Sequence, residues 1–179
     1  MAIALAFIIF IGTYVTQERS YDTFVGDDVY VGSDVEFFSL SGTVKGAVEG
    51  RYPDIEAVCR AVGTMSIDGW DLSMSVGDRT MTQNALCVDS NFLSLIPLPM
   101  AAGDRKGALE AVGSAIVSQS FANTYFPGGN AVGNGIGITA GGGKTTLTIT
   151  GVFEDMERTV LPGCDMIYRL DMLERLLPI

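Results

Sequence analysis

The chain of 179 residues contains no histidine, and this absence removes several kinds of chemistry together. Ser-His and Cys-His nucleophile pairs, HExxH zinc sites and the ordinary histidine pH switch all need an imidazole. Most hydrolase mechanisms would therefore lack their usual base. We expect the chain not to be an enzyme, and we expect no catalytic, cofactor-binding or metal-binding residue.

Basic residues are also scarce, because 11 Lys and Arg stand against 21 Asp and Glu, for a net charge of −10. Such a charge repels the phosphate backbone, so nucleic acid is not an expected partner. Charged residues make up 18% of the chain and hydrophobic residues 47%. This balance lies on the apolar side for a soluble globular protein and indicates a connection with a membrane.

Cysteine is limited to Cys59, Cys87 and Cys164, and no two of them form a CxxC pair. The spacing gives no support to a zinc site or to thioredoxin-like redox chemistry. We expect all three to be small buried hydrophobes, which is the usual state of free cysteine. At most one disulfide could form among them, and the sequence leaves their oxidation state open.

The N-terminal stretch from Met1 to Gln17 carries no charged side chain and is as apolar as a lipid-facing helix. At about 1.5 Å per residue it would reach about 25 Å, slightly less than the roughly 30 Å of a bilayer core. We therefore predict a partial transmembrane helix over residues 1–19. A signal sequence and a buried core helix are the alternatives. A signal sequence would need a basic N-terminal region and a cleavage site, and this stretch has neither.

The remaining chain, residues 20–179, shows the patterns of a domain that mixes helices and strands. Gly77-Asp78-Arg79 is a hairpin signal between two of the predicted strands, and Ser118 is a predicted helix N-cap. From alternation, β-branched content and capping residues we predict strands over residues 28–38, 55–62, 70–76, 80–88, 115–117 and 145–154, and helices over 41–50, 91–95, 118–126 and 166–177.

One segment imitates a phosphate-binding loop, because Lys144 and Thr145 follow three glycines. In a true loop of this kind a glycine would replace Ile138, and a helix rather than a β-branched strand would follow. We expect a glycine hairpin tip there and no nucleotide binding.

Two acidic pairs, Asp27-Asp28 and Glu154-Asp155, are the remaining candidates for chemistry. They could be acid/base groups or cation ligands, and a hydrolase hypothesis rests on them alone. Neither pair has ligand spacing, so we expect a solvated acidic rim. Four large apolar residues could mark a binding surface, but we expect them to fill the core. They are Trp70, Met65, Met74 and Met81.

Several short motifs, taken in order, resemble the extracytoplasmic core domain of MacB/FtsX-like ABC transporter permeases. The family patterns E-x-S-Y-D-x-F, Y-P-x-[IV]-E-x-x-x-R and V-D-x-x-F are similar to residues 18–24, 52–60 and 88–92. A P-L-x-x-G-[DN] turn, a V-x-S helix start, a V-G-x-x-I turn and a V-x-G-V-F-x-D strand resemble residues 99–104, 117–126, 132–136 and 149–155. Each motif is weak alone, and their common order makes the resemblance fairly specific.

The resemblance implies an α+β fold, namely a MacB-like periplasmic core domain preceded by the partial transmembrane helix. It implies an α/β base subdomain and a β-rich inserted subdomain made from the middle of the chain, roughly residues 64–104. The motif residues are of the scaffold type, with Gly133 and Gly151 allowing tight backbone and Ser118 capping a helix.

The function implied by the resemblance is mechanical coupling in a permease subunit without catalysis in this chain. ATP would be hydrolysed by a cytoplasmic ABC ATPase subunit, and the motion would drive export or extraction of a substrate. The implied location is the bacterial inner membrane, with this domain on the periplasmic side. The implied partners are a second permease in a homodimer and a periplasmic adaptor or outer-membrane protein. A free-standing, membrane-anchored periplasmic binding module is the alternative.

Overall fold

A computed structural model describes residues 2–18, 22–23, 25–26, 28–30, 32, 43–66, 71–156, 159, 161 and 163–177. Helix α1 covers Ala2–Glu18, which confirms that the apolar N-terminal stretch is helical. The hydroxyls of Thr13 and Thr16 each donate a 2.8 Å hydrogen bond to a carbonyl four residues earlier, so neither breaks the apolar character of the helix. None of the described helices combines the length and apolarity needed to cross a membrane.

The described strands form one mixed sheet. Its strands are β1 Ala61–Gly63, β2 Leu72–Val76, β3 Arg79–Thr82, β4 Ala85–Val88, β5 Met100–Gly103, β6 Ser114–Ser118, β7 Gly135–Ala140, β8 Gly143–Phe153 and β9 Met166–Arg169. The spatial order is β1-β4-β9-β6-β8-β7-β2-β3, and β5 pairs with β8. The β4–β9 and β6–β8 pairs are parallel, and the other pairs are antiparallel.

The described residues also form short helices, three of which contribute side chains to the core. These helices are α2 Thr43–Val48, α3 Phe92–Leu95, α4 Gln119–Tyr125 and α5 Leu170–Leu176. One core cluster includes residues of α4 and α5, among them Phe121 and Leu173. The other lies on the opposite face and includes Phe92 of α3 and Leu98. All five residues of β6 are buried, because both faces of the central strands are covered.

This architecture confirms the predicted α+β class. Ser118 accepts a 3.1 Å hydrogen bond from the backbone N–H of Phe121, as expected of an N-cap. The hairpin at Gly77-Asp78 joins β2 to β3, and Gly141 and Gly142 form the predicted glycine tip between β7 and β8. Of the described strands within residues 64–104, β2, β4 and β5 each pair with a strand outside that range, whereas β3 pairs with β2. The division into two subdomains stays a prediction.

Three sequence predictions require correction. The strand predicted over 80–88 is two strands, since Gln83 turns its side chain into the core towards Tyr168 and β4 pairs with β1 and β9 instead of β2. Residues 166–169 are strand β9 and not the first turn of the last helix. Residues 55–60 are not in a strand, because the backbone N–H of Arg60 donates to the Asp89 carboxylate.

Sequence reasoning missed β5 and β7. Strand β7 alternates buried isoleucines, Ile136 and Ile138, with glycines that resemble loop residues. Among the methionines, Met74 is buried, Met81 is half-buried and Met65 is 67% exposed, so core filling is wrong for Met65.

Several predictions fall wholly or partly outside the described residues. Trp70, Asp27 and the first two residues of the helix predicted over 41–50 lie there, as does most of the strand predicted over 28–38. Within that last range, Asp28, Val29, Tyr30 and Gly32 are described, and none of the four belongs to a strand.

Two glycines from separate motifs allow β5 to approach β8. Gly103 has a φ of +87°, and a Cβ atom added to it would lie 2.5 Å from the Thr150 carbonyl oxygen and 2.7 Å from the Gly151 Cα. Both obstacles are backbone atoms, which cannot rotate away. Position 103 therefore requires glycine for two reasons: the backbone has a positive φ, and a side chain would collide with the backbone of β8.

We predict that Gly103→Ala lowers the free energy of unfolding by about 3 kcal/mol, because it combines an unfavourable φ with a backbone collision. Urea unfolding of the 179-residue chain in mild detergent, followed by circular dichroism, measures the change. Gly128→Ala is the matched control, since its Cβ meets nothing within 4 Å, and it should shift stability by less than about 0.5 kcal/mol. Equal effects of the two variants would contradict the close packing of β5 on β8.

Candidate functional site

The most strongly connected polar group among the described residues is Asp89, which follows β4 and is 9% exposed. Its Oδ1 accepts a 2.8 Å hydrogen bond from Nη2 of Arg60. Its Oδ2 accepts 2.9 Å hydrogen bonds from Nζ of Lys45 and from the backbone N–H of Arg60. Two cations and a backbone donor thus converge on one carboxylate.

A fourth residue joins this arrangement, since Nη1 of Arg60 lies 3.1 Å from Oε1 of Glu174. We call Lys45, Arg60, Asp89 and Glu174 the Asp89 cluster. Lys45 belongs to α2, Arg60 precedes β1, Asp89 follows β4 and Glu174 belongs to α5. The cluster therefore fastens an early helix and the last helix to the same end of the sheet.

The electrostatics of Asp89 follow from its surroundings. Burial raises the pKa of its carboxyl, but the hydrogen bonds from the Arg60 side chain, the Arg60 backbone and Lys45 outweigh burial and lower the pKa to about 2. The group is therefore ionised at physiological pH. This arrangement holds structure together and offers no proton for catalysis near neutrality.

A second polar junction lies at the start of α4, where Asp155 accepts from both donors of Ser120. The Ser120 hydroxyl donates to Oδ2 at 2.6 Å, and its backbone N–H donates to Oδ1 at 3.1 Å. A carboxylate at this end of a helix satisfies free N–H groups. Asp155, one of the candidate acid/base residues, thus has a capping role. Glu154 and Asp28 are exposed, and no group of acidic residues suited to a metal ion is found in the described ranges.

The remaining candidates are also placed by the structure. Lys144, the lysine of the loop-like segment, lies in strand β8 opposite Thr139, and β8 continues to Phe153 where a phosphate-binding loop would open a helix. Cys87 is buried, Cys59 and Cys164 are half-buried, and all three are free thiols. Burial is the main cause that raises the pKa of Cys59 to about 11 and those of Cys87 and Cys164 to about 12. Thiols with such values are poor nucleophiles at neutral pH.

Comparison with known proteins adds the decisive observation. The profile of one family, the MacB-like periplasmic core domain, matches residues 1–173. This chain belongs to that family. The resemblance read from the short motifs is thereby confirmed. Comparison with curated proteins gives no match.

Three solved structures are similar to this MacB-like domain. A domain of a protein assigned as a permease from Porphyromonas gingivalis has a TM-score of 0.55 at 23% identity, over 78% of this chain and 60% of that one. The periplasmic region of MacB from Actinobacillus actinomycetemcomitans has a TM-score of 0.46 at 12% identity, over 72% and 53%. The extracellular domain of the noncanonic ABC-type transporter YknZ from Gram-positive bacteria has a TM-score of 0.42 at 16% identity, over 58% and 52%.

The likeness to the Porphyromonas gingivalis domain concerns the fold alone. The chain spans between about half and 60% of the solved chains that it matches.

The fold explains why the motifs of this MacB-like domain occur together. Arg60 closes one motif and Asp89 lies in another, and the two form an ion pair. Gly103 and Gly151 come from two further motifs and lie against each other. These four motif residues thus form two contact pairs of the scaffold. Sequence reasoning missed Lys45 and Glu174, because neither lies in a motif and Glu174 is 114 residues from Arg60 along the chain.

We predict that Asp89→Asn destabilises the chain at pH 7 by about 2 kcal/mol, because two cations lose their charged partner. The folded-state pKa of Asp89 is about 2, below its ordinary value of 3.8. Its contribution is therefore complete above about pH 4 and is lost as the pH falls towards 2. Urea unfolding at several pH values should show the stability difference between the two proteins narrowing over that interval.

The control is Asp171→Asn, which breaks the ion pair between Asp171 and Arg169, two residues apart. We expect Asp171→Asn to change the free energy of unfolding by less than about 0.5 kcal/mol. If the difference in free energy of unfolding between wild type and Asp89→Asn stays constant from pH 5 to pH 2, the ionised Asp89 carboxylate is not the source of the stabilisation.

Proposed function

We propose that this chain is the extracytoplasmic domain of an ABC transporter permease and acts as a mechanical coupler without catalysis of its own. ATP hydrolysis in a cytoplasmic ATPase subunit would move the transmembrane helices of a permease homodimer. This domain, on the periplasmic side of the inner membrane, would pass the motion on to export or extract a substrate, in contact with a periplasmic adaptor or outer-membrane partner. Family membership supports the proposal.

The observation that carries the proposal is the connectivity of the Asp89 cluster. A domain transmits a displacement as a rigid body only if its attached segments are fixed to its core. Lys45 ties α2 to Asp89, and Glu174 ties α5 to Arg60. An early and a late segment of the domain thus meet at one end of the sheet through charge-assisted hydrogen bonds.

The covered central sheet supports the same role. Strands β6 and β9 are buried between the two core clusters, which gives a stiff support for the segments attached at the cluster. The division into a base and a β-rich part made from roughly residues 64–104 belongs to this proposal. In that arrangement the base receives the motion and the β-rich part presents it to a partner.

We predict that Lys45→Met uncouples motion from hydrolysis in the complete permease bound to its ATPase. The experiment labels Asn130→Cys, an exposed loop position, with a spin label in a permease whose native cysteines, Cys59, Cys87 and Cys164 among them, are replaced by alanine. Distances between the two labels of a homodimer are measured with and without ATP. In the variant, ATP hydrolysis should stay within about twofold of wild type, and the ATP-dependent distance change should shrink by at least half.

Lys106→Met is the matched control, because it removes an exposed lysine whose side chain has no recorded bond to any described residue. It should leave both the hydrolysis and the distance change as in wild type. An unaltered distance change in Lys45→Met would contradict the role of the cluster. Absence of any ATP-dependent change in the unsubstituted permease would contradict coupling itself.

A further inference from the structure

Asp22, four residues after the end of α1, has a left-handed backbone conformation. Its φ is +48°, and no other described non-glycine residue has a positive φ. Residues with a Cβ atom seldom adopt this conformation, although aspartate is one of the few that tolerate it. Such a conformation persists only where the surrounding structure holds it, so its place between α1 and the domain calls for a physical reason.

A turn and an apolar contact hold the chain directly after Asp22. The backbone N–H of Val25 donates a 2.8 Å hydrogen bond to the Asp22 carbonyl. The Val25 side chain is half-buried and packs against the core cluster that includes Phe92 and Leu98, which we call the Phe92 core. Val88 of β4 belongs to the same cluster. The turn is therefore anchored to the covered part of the sheet.

The φ angle of Asp22 sets the direction from which the chain of α1 enters this turn. With Val25 fixed in the Phe92 core, a change of φ from +48° to an ordinary value near −60° would rotate the preceding chain by about 110° about the N–Cα bond of Asp22. Four residues of extended chain span at most about 14 Å, so Glu18 at the end of α1 lies within that distance of Asp22. A connection this short cannot absorb a large displacement of α1.

We propose that Asp22 is a positioning residue for the coupling described above. Its left-handed backbone fixes the direction in which α1 meets the domain, and Val25 carries a displacement of α1 into the Phe92 core. Coupling between distant sites is carried by chains of packed side chains and hydrogen bonds, and the Asp22–Val25 turn supplies both. This inference rests on the proposed function and adds to it the place where the motion enters the domain.

The backbone conformation of Asp22, and not its charge, is the feature that this role requires. Asparagine tolerates a positive φ as aspartate does, whereas the branched Cβ of valine makes the same conformation a strong outlier. Asp22→Asn therefore removes the charge and keeps the direction of the chain. Asp22→Val removes both. The asparagine variant is thus the matched control for the valine variant.

The experiment uses the complete permease with its ATPase and the spin label on Asn130→Cys, again without native cysteines. In Asp22→Val, ATP hydrolysis should stay within about twofold of the unsubstituted protein, and the ATP-dependent distance change should shrink by at least about half. Asp22→Asn should retain at least about three quarters of that change. If Asp22→Val does not assemble, Asp22→Ala takes its place with the same expected results, because alanine also disfavours a positive φ.

Hydrogen exchange of the 179-residue chain in mild detergent checks the turn itself. The Val25 amide should exchange at least about fivefold faster in Asp22→Val than in wild type, and within about twofold of wild type in Asp22→Asn. Unchanged exchange in Asp22→Val would overturn the role of the φ angle, because the turn would then form without it.

The outcomes separate this inference from the proposed function. An unaltered distance change in Asp22→Val, although its Val25 amide exchanges faster, would overturn the positioning role and leave coupling intact. Equal losses of the distance change in Asp22→Asn and Asp22→Val would also overturn it, because the charge of Asp22 would then be the cause. Absence of any ATP-dependent change in the unsubstituted permease would overturn coupling and this inference together.

Discussion

The structure depends on the charge of Asp89, a carboxylate that is almost removed from solvent. An isolated charge there would be costly, so it is stable only with the cations that surround it. Arg60 and Lys45 supply those cations from two different segments, and Arg60 reaches Glu174 on α5 as well. The need to neutralise one carboxylate therefore brings α2, β1, β4 and α5 to one place.

The sheet beyond this cluster has two unlike halves. Near β4, β9 and β6, helices and loops cover both faces, and the side chains are apolar on each. Towards β7, β2 and β3, one face keeps apolar residues such as Met74 and Ile138, while the other presents serine and threonine. The covered half suits the fixing of attached segments.

The sequence predicted the local features of this fold. The cap at Ser118 and the alternation of buried Leu147 and Ile149 in β8 depend on near neighbours. The sequence favours a helix in place of β9 because Met166, Ile167 and Tyr168 are consecutive apolar residues, and such a run has no period that distinguishes a strand from a helix. The family resemblance supplied the fold class, since its motifs mark the contacts that the scaffold needs.

The candidate site could be predicted only in part. Arg60 and Asp89 were noted as separate motif residues, yet their pairing joins segments 29 residues apart, and no local pattern encodes such a contact. Lys45 and Glu174 resemble ordinary surface charges in the sequence. The exposure of Met65 also depends on what packs beside it, which no local pattern encodes, whereas β7 is hidden in the sequence by the glycines that alternate with its buried isoleucines.

The most direct test of this account is hydrogen exchange of the 179-residue chain, compared between wild type and Asp89→Asn. The account predicts that amides of α2 and α5 lose protection in the variant, while those of β6 and β8 keep it. Equal protection of α2 and α5 in both proteins would contradict the claim that the Asp89 cluster fastens these segments to the sheet. Uniform loss of protection across all strands would contradict it as well, because the cluster would then act on overall stability alone.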